Sequence, residues 1–293
     1  MENITKGVIL CGGWATRFMP ECKCVPKELL PLYNKPILQY LVDDLIENGV
    51  TEICFVIRRG KEIIGKHFKP NKKWEKLVDS KLINEFEKYK NIKFKVVYQN
   101  KPLGTGHALL CAKNFCTSPF YLLNGDEVIT NNPSTISQLK SAFIKHNSCV
   151  IGVKKVKPSE AYKYGMLAFE KSKSFKVAEI KEKPKQSDIP SLYSNLGCYI
   201  FTPHIFNYIA KNSTNQVPLT DAINSFIANK NSLYAVNILG HRYDMGNPLS
   251  FVFNNIEFCY NNVNTKAETV KFLQSLLKKW KNNINLFCKK SLI

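Results

Sequence analysis

Arginine is nearly missing from this chain. It occurs only at Arg17, Arg58, Arg59 and Arg242, although Lys and Arg together number 42 against 23 acidic residues, a formal charge of +19. The positive charge is therefore lysine, scattered along the sequence, and Asn and Ile are also abundant, as genomes poor in G and C tend to encode. That pattern reads as a solvated basic surface rather than a polyanion site, and no nucleic-acid partner is expected. The same scarcity makes each retained arginine informative. No apolar run approaches the ~20 residues of a membrane span, which argues against stable membrane insertion. The opening residues MENITKGVIL lack a charged-then-apolar leader and enter an apolar run almost at once, so a cytoplasmic enzyme is the expectation. None of the ten cysteines forms a C-x-x-C pair, and Cys22-x-Cys24 and Cys111-x₄-Cys116 lack the second pair that zinc needs. Reduced, mostly buried thiols are expected. There is no P-loop, no dinucleotide G-x-G-x-x-G, no internal repeat and no low-complexity linker.

What is present centres on Val8–Pro31, VILCGGWATRFMPECKCVPKELLP. Val8–Cys11 has the length and branched content of a buried parallel strand. A strand ending in a tight glycine turn (Gly12-Gly13) leaves backbone N–H groups pointing outward, a concavity that favours phosphate oxygens. A plain strand-to-helix connection fits the glycines equally well. The basic, proline-containing continuation from Arg17 to Lys27 is what a mere connection does not need.

With 293 residues, one large domain or one domain with a modest appendage is expected. Residues 35–49 carry Ile37, Leu38, Leu41, Val42, Leu45 and Ile46 at helical spacing, and Glu52–Ile57 reads as a second strand, so the first sixty residues form a βαβ unit. Short helices are expected near Ile63–His67 and Trp74–Leu82, and a third strand at Phe94–Tyr98. Gln99–Cys111 holds a second glycine-bearing turn, Gly104-Thr105-Gly106, before a helical run. His107 could serve as base or ligand there, but a lone histidine at a helix start is more often structural. Phe120–Leu123 is a strand ending in Asn124-Gly125-Asp126-Glu127. Asp126 is either a turn aspartate or a ligand-facing acid at a strand's carboxyl end, and the residues alone leave both open. A helix over Pro133–His146 and a strand at Cys149–Val153 follow. Beyond residue 155 short strands with tight turns look antiparallel. Helices at Pro203–Lys211 and Leu219–Asn229, a strand at Leu233–Leu239 and a helix from Pro248 to about Tyr260 complete the core. The tail Lys266–Lys281 gathers Phe272, Leu276, Leu277 and Trp280 on one face; a helix docked on its own domain or on a sister subunit accounts for it better than membrane-surface binding.

The residues GGWATRFMPECKCVPKELLPL, NKPILQY, QNKPLGTGHALLCA, LLNGD, KYGM, EKPK, SNLGCYIF, LTDAI and YDMGNPLSF stand in the order seen in bacterial UTP–glucose-1-phosphate uridylyltransferases, and the chain resembles that family over roughly residues 5 to 260. The resemblance implies an α/β fold with a three-layer, Rossmann-like, mostly parallel sheet. It implies a nucleotide-binding part over about 1–155, a sugar-binding part over about 156–247 with mixed strands, and a helical tail over 261–293. It implies that UTP and glucose 1-phosphate yield UDP-glucose and pyrophosphate by Mg²⁺-assisted in-line attack on the α-phosphorus. Asp126 and Asp244 would hold the Mg²⁺, and Arg17 and Lys27 would steady the β and γ phosphates. Lys183 would grip the sugar phosphate, Glu182 would accept bonds from sugar hydroxyls, and Gly165 would let the sugar approach the backbone. Gln99 and the backbone near Gly12 and Gly106 would read uracil, and Gly13 would also contact substrate. A homo-oligomer is also implied.

The chain departs from the family's pattern at Ala15, where glycine is usual, at Gln216-Val217-Pro218 in place of Glu-Ile-Gln, and at Cys22 and Cys24. If position 15 needs a positive φ, alanine there costs about 1–2 kcal/mol; if it abuts a phosphate, its methyl blocks close approach. Related glucose-1-phosphate thymidylyltransferases, and a sugar-nucleotide-binding paralogue of reduced activity, are the competing readings.

Overall fold

The computed structural model describes residues 3–130, 132–171, 175–210 and 215–290, with side chains through 281. Its first strands are β1 (Lys6–Cys11), two-residue strands β2 (Pro31–Leu32) and β3 (Lys35–Pro36), β4 (Glu52–Ile57), β5 (Lys93–Tyr98) and β6 (Phe120–Asn124). β5, β4, β1 and β6 lie side by side, all parallel, with Cys11 opposite Ile57 and Ile57 opposite Tyr98. Their carboxyl ends therefore finish in one row, where parallel sheets bind ligands. β7 (Glu127–Thr130) leaves this sheet. β8 (Cys149–Lys155), β9 (Gly165–Phe169), β10 (Val177–Glu182), β11 (Tyr193–Phe201) and β12 (Leu233–Asn237) extend it, and β11 runs antiparallel between β6 and β8. The β9–β10 hairpin joins through a pairing of β9 with the start of β11. The parallel half and the antiparallel shift after residue 155 both match the sequence reading.

Strand alternation builds two cores. Val8 and Leu122 face one side, with Ala108 and Leu109 of α5 (Thr105–Cys111) and Leu219 and Ile223 of α7 (Leu219–Ala228). Ile9, Tyr121 and Leu123 face the other, with Leu38, Val42 and Leu45 of α1 (Ile37–Glu47) and Ile136 and Leu139 of α6 (Thr135–His146). Successive residues of one strand thus feed opposite layers, which makes the three-layer arrangement. Between residues 61 and 90 a short helix α2 (Ile63–His67) is followed by α3 (Lys72–Glu75) and α4 (Ser80–Glu87), two helices where one was expected. Asp79 caps α4 by accepting from Lys81 N at 2.8 Å, and that cap splits the run.

A third, smaller core holds Leu32, Ile37, Val128, Tyr243, Met245 and Phe258. It lies beneath a two-stranded antiparallel ribbon of β7 and β13 (His241–Asp244), which periodicity did not reveal, and α8 (Pro248–Asn261). The expected Pro203–Lys211 helix is a 3₁₀ turn over Pro203–Asn207, and Lys211 lies outside the described residues. The tail forms α9 (Lys266–Lys290), but Phe272, Leu276, Leu277 and Trp280 are exposed rather than docked on this domain. Among the residues whose side chains are described, nine cysteines are free thiols, and six of them are buried. Among the described residues no helix is long and apolar enough to cross a membrane.

Candidate active site

At the carboxyl ends of the parallel strands lies a cleft of about 390 Å³, lined among others by Gly12, Gly13, Trp14, Lys27, Gln99, Asp126 and Gln216. Five of these seven are residues singled out in the sequence analysis: Gly12 and Gly13 after β1, Lys27 in the basic loop, Gln99 after β5, and Asp126 after β6. Gly12 is needed for space, since a Cβ there would stand 2.6 Å from Gln99 Oε1. Gly106 does not line the cleft. Its N–H donates to Val217 O at 2.9 Å and a Cβ would lie 2.7 Å from that oxygen, so the glycine answers to the 216–218 strap packed against it.

The loop from Gly12 to Lys27 is held from below. Lys61 Nζ, buried, donates to both Glu28 carboxylate oxygens at 2.8 and 2.9 Å and to Cys11 O at 2.8 Å. Burial raises the Glu28 carboxyl pKa, with Lys61 opposing. This pair fastens Lys27 to the end of β1, and the sequence reading passed over it because a lone Lys and a lone Glu thirty-three positions apart carry no spacing signal. Lys27 forms an ion pair with Asp126. Burial alone would lower the Lys27 pKa, and the charge and hydrogen bond of Asp126 outweigh it and raise it. Arg17 is exposed, on a 3₁₀ turn over Thr16–Phe18, and does not line the cleft. Ala15, just before that turn, sits at φ +52°, ψ +37°, the left-handed region.

Asp244 enters from the ribbon. It pairs across from Glu127, and Asp126 is the next residue. Directly opposed antiparallel residues have Cα atoms about 4.5–5.5 Å apart, and Asp126 immediately precedes Glu127, so the ribbon brings the backbones of two aspartates 118 positions apart in sequence close together. Arg242 binds Glu127 through two bonds of 2.7 and 3.0 Å, reaches Asp244 at 3.8 Å, and stacks on the Tyr164 ring at 4.6 Å. Burial pushes the Glu127 carboxyl up to about 7 against the pull of Arg242, and the charges of Asp126 and Asp244 add to the rise. Tyr164 OH donates to Asp244 at 3.4 Å. Gly165 follows, and Glu182 is its partner across the hairpin; a Cβ at Gly165 would lie 2.9 Å from Glu182 Oε2. Lys183 is exposed at φ +46°, with its N–H on Tyr164 O at 3.1 Å. The hairpin therefore groups Gly165, Glu182 and Lys183 beside Tyr164, which touches Asp244.

Arg58 and Arg59, given no role in the sequence analysis, line with Trp14 a smaller pocket that shares Gly12 and Gln99 with the cleft. Arg58 stacks on Trp14 at 4.2 Å and Arg59 on Tyr98 at 4.9 Å. The signal was available: in a chain with so few arginines, two adjoining at the end of β4 stand out.

A nucleotidyl transferase family model matches residues 6–258. The UTP–glucose-1-phosphate uridylyltransferase of Bacillus subtilis (strain 168) is 32% identical over 290 residues, covering 95% of this chain and 99% of the relative. Its namesake in Staphylococcus epidermidis is 32% identical over 288 residues, 94% of this chain and 99% of the relative. Among solved structures, a UDP-glucose pyrophosphorylase of Acinetobacter baumannii superposes with a TM-score of 0.84 at 26% identity, over 93% of this chain and 99% of that one; a UTP-bound form from the same organism gives the same figures. A UDP-glucose pyrophosphorylase complexed with UDP-glucose gives 0.78 at 28% identity, over 88% and 100%. The order of strands, the cleft and these likenesses converge: the chain belongs to the nucleotidyl transferase family and, within it, to the bacterial UTP–glucose-1-phosphate uridylyltransferases.

Proposed function

We propose that the protein transfers a uridylyl group from UTP to glucose 1-phosphate. A phosphate oxygen of the sugar forms a bond to the α-phosphorus, the bond from that phosphorus to the bridging oxygen breaks, and pyrophosphate leaves with the electron pair. Two polyanions must meet, so the barrier is mostly repulsion, and catalysis is positioning with charge neutralisation. What supports the reading is the ribbon that sets Asp244 across from Glu127, one residue from Asp126, whose carboxylate pairs with Lys27 in the wall of the glycine-lined cleft. The relatives named for this reaction, and the neighbouring structures titled as bound to UTP and to UDP-glucose, support it.

The donor set fits Mg²⁺. Two aspartates supply hard oxygens and leave positions for water and substrate phosphate, as that ion prefers. The Lys27 ammonium on Asp126 marks that carboxylate as a cation's place. Among the described residues no group of three or more His, Cys, Asp or Glu could hold a metal, so a caged site is not the pattern. Bound by Asp126 and Asp244, Mg²⁺ would neutralise charge shared by the nucleotide and sugar phosphates. Lys27, released from Asp126, and Arg17, if its loop folds inward, take the charge that builds on the leaving pyrophosphate. Lys183 holds the sugar phosphate, Glu182 accepts from sugar hydroxyls, and Gly165 leaves the backbone open to the ring.

Pyrophosphate release from UTP plus glucose 1-phosphate with Mg²⁺ tests the reading. Asp126→Asn and Asp244→Asn should each abolish turnover with melting temperature nearly unchanged; near-normal turnover in either removes the metal assignment. A second reading, a sugar-nucleotide binder of reduced activity, is favoured by the left-handed Ala15, and tight UDP-glucose binding without turnover would support it. The exposed stripe Leu249, Val252, Phe253, Ile256 and Tyr260 of α8 supports self-association, which sedimentation reads.

A further inference from the structure

Gln99 is 8% exposed, and its amide nitrogen is hydrogen-bonded. Nε2 donates to Gly104 O at 2.9 Å and faces His107 Nδ1 at 3.3 Å. A carbonyl oxygen only accepts, so the nitrogen must occupy that end and Oε1 the other. Oε1 faces Gly12, where a Cβ would stand 2.6 Å from it, and both residues line the cleft. Because Gln99 donates, His107 Nδ1 accepts, which places the histidine's own proton on Nε2.

We propose that His107 is a positioning residue for base selection. It acts through Gln99, holding the amide with its oxygen toward the base. The base must then present a donor at that edge. Uracil does so with N3–H; cytosine presents an unprotonated N3, an acceptor, and meets oxygen with lone pair against lone pair. Were the amide turned over, Nε2 would face the base and the preference would invert. Gly104 O supplies one anchor against that rotation and His107 the other. The inference rests on UTP being the nucleotide of this cleft.

The test is kcat/KM with UTP and with CTP, glucose 1-phosphate held constant, for the unaltered protein, His107→Leu and His107→Asn. The unaltered protein should favour UTP strongly. His107→Leu removes one anchor, and the UTP-over-CTP ratio should fall about 3- to 10-fold, the worth of one such hydrogen bond, mainly through a raised KM for UTP. His107→Asn sets Oδ1 where Nδ1 stood and should restore the ratio to within about twofold. A helix-stabilising role alone would lower thermal stability and leave the ratio untouched, and that result overturns the proposal. If the unaltered protein does not use UTP, the uridylyl reading fails; if it does and the ratio is unmoved, only the His107 role fails. Should His107→Leu not fold, ¹⁵N shifts of the unaltered protein decide: a proton on Nε2 agrees, and a proton on Nδ1 overturns.

Discussion

Replacing Ala15 by glycine should stabilise the protein without altering its grip on UTP. The perturbation removes a methyl group from a residue held at φ +52°, ψ +37°, where an L side chain crowds the following carbonyl. That crowding costs about 1–2 kcal/mol. Glycine gives back roughly 0.4–1 kcal/mol through the greater freedom of the unfolded chain. The difference leaves a gain of about 0.5–1 kcal/mol, a rise in melting temperature of about 1–3 °C for a chain of this size. The loop's geometry should persist, because Phe18 N donates to Ala15 O at 2.8 Å whichever residue stands there. Ala15 does not line the cleft, so the UTP dissociation constant should move less than about twofold, well under the tenfold that 1.4 kcal/mol would give. Equilibrium urea unfolding, paired with calorimetric titration of UTP, reads both quantities. An unchanged or lower midpoint would refute the strain; a tenfold tighter UTP would show that the methyl meets a phosphate after all.

Three other outcomes follow from the same geometry. Lys61→Met leaves Glu28 buried and unpaired beneath the loop, and should cost about 3–5 kcal/mol in urea unfolding, with the loop cut sooner by protease. Arg242→Lys keeps the charge but cannot repeat the two-pronged contact with Glu127, so turnover should fall at least several-fold while UDP-glucose binding, read by titration, changes less. His67 is half-buried between Phe68 and Phe86 with Nε2 on Gln39 Oε1 at 3.0 Å, and its partial burial lowers its pKa below 6.5. The unfolded chain therefore binds the extra proton first. Stability present above about pH 6.5 should be lost as pH falls toward the folded value, and His67→Gln should flatten that slope in urea midpoints measured from pH 7.5 to 5.

The parallel half of the fold was legible because buried strands such as Glu52–Ile57 are continuous apolar runs, and helices such as α1 repeat at 3.6 residues. The β7–β13 ribbon was not, because EVIT and HRYD are four-residue strands of mixed polarity that pair across more than a hundred positions. The placement of single residues was legible where a strand end fixes it: Gly12 after β1 and Asp126 after β6 both line the cleft at the sheet's carboxyl edge. Their support was not, since Glu28 with Lys61 and Glu127 with Arg242 owe their meaning to burial, which no local pattern encodes. Gly106 carries a packing constraint that no local pattern announced, since a Cβ there would lie 2.7 Å from the Val217 carbonyl oxygen.

The small third core bears on how damage at the end of the chain reaches the centre. Phe258 sits among the rings of Tyr33, Tyr40 and Tyr243, at 6.4, 5.6 and 5.4 Å, and Asn254 Nδ2 donates to the Asp244 carbonyl at 2.7 Å. A frameshift or stop just after Asn247 would spare every proposed ligand and phosphate-binding cation, yet strip the buttress from one of the two carboxylates. Lesions that remove α8 thus belong with those that disarm the protein, not with harmless trimmings of its end.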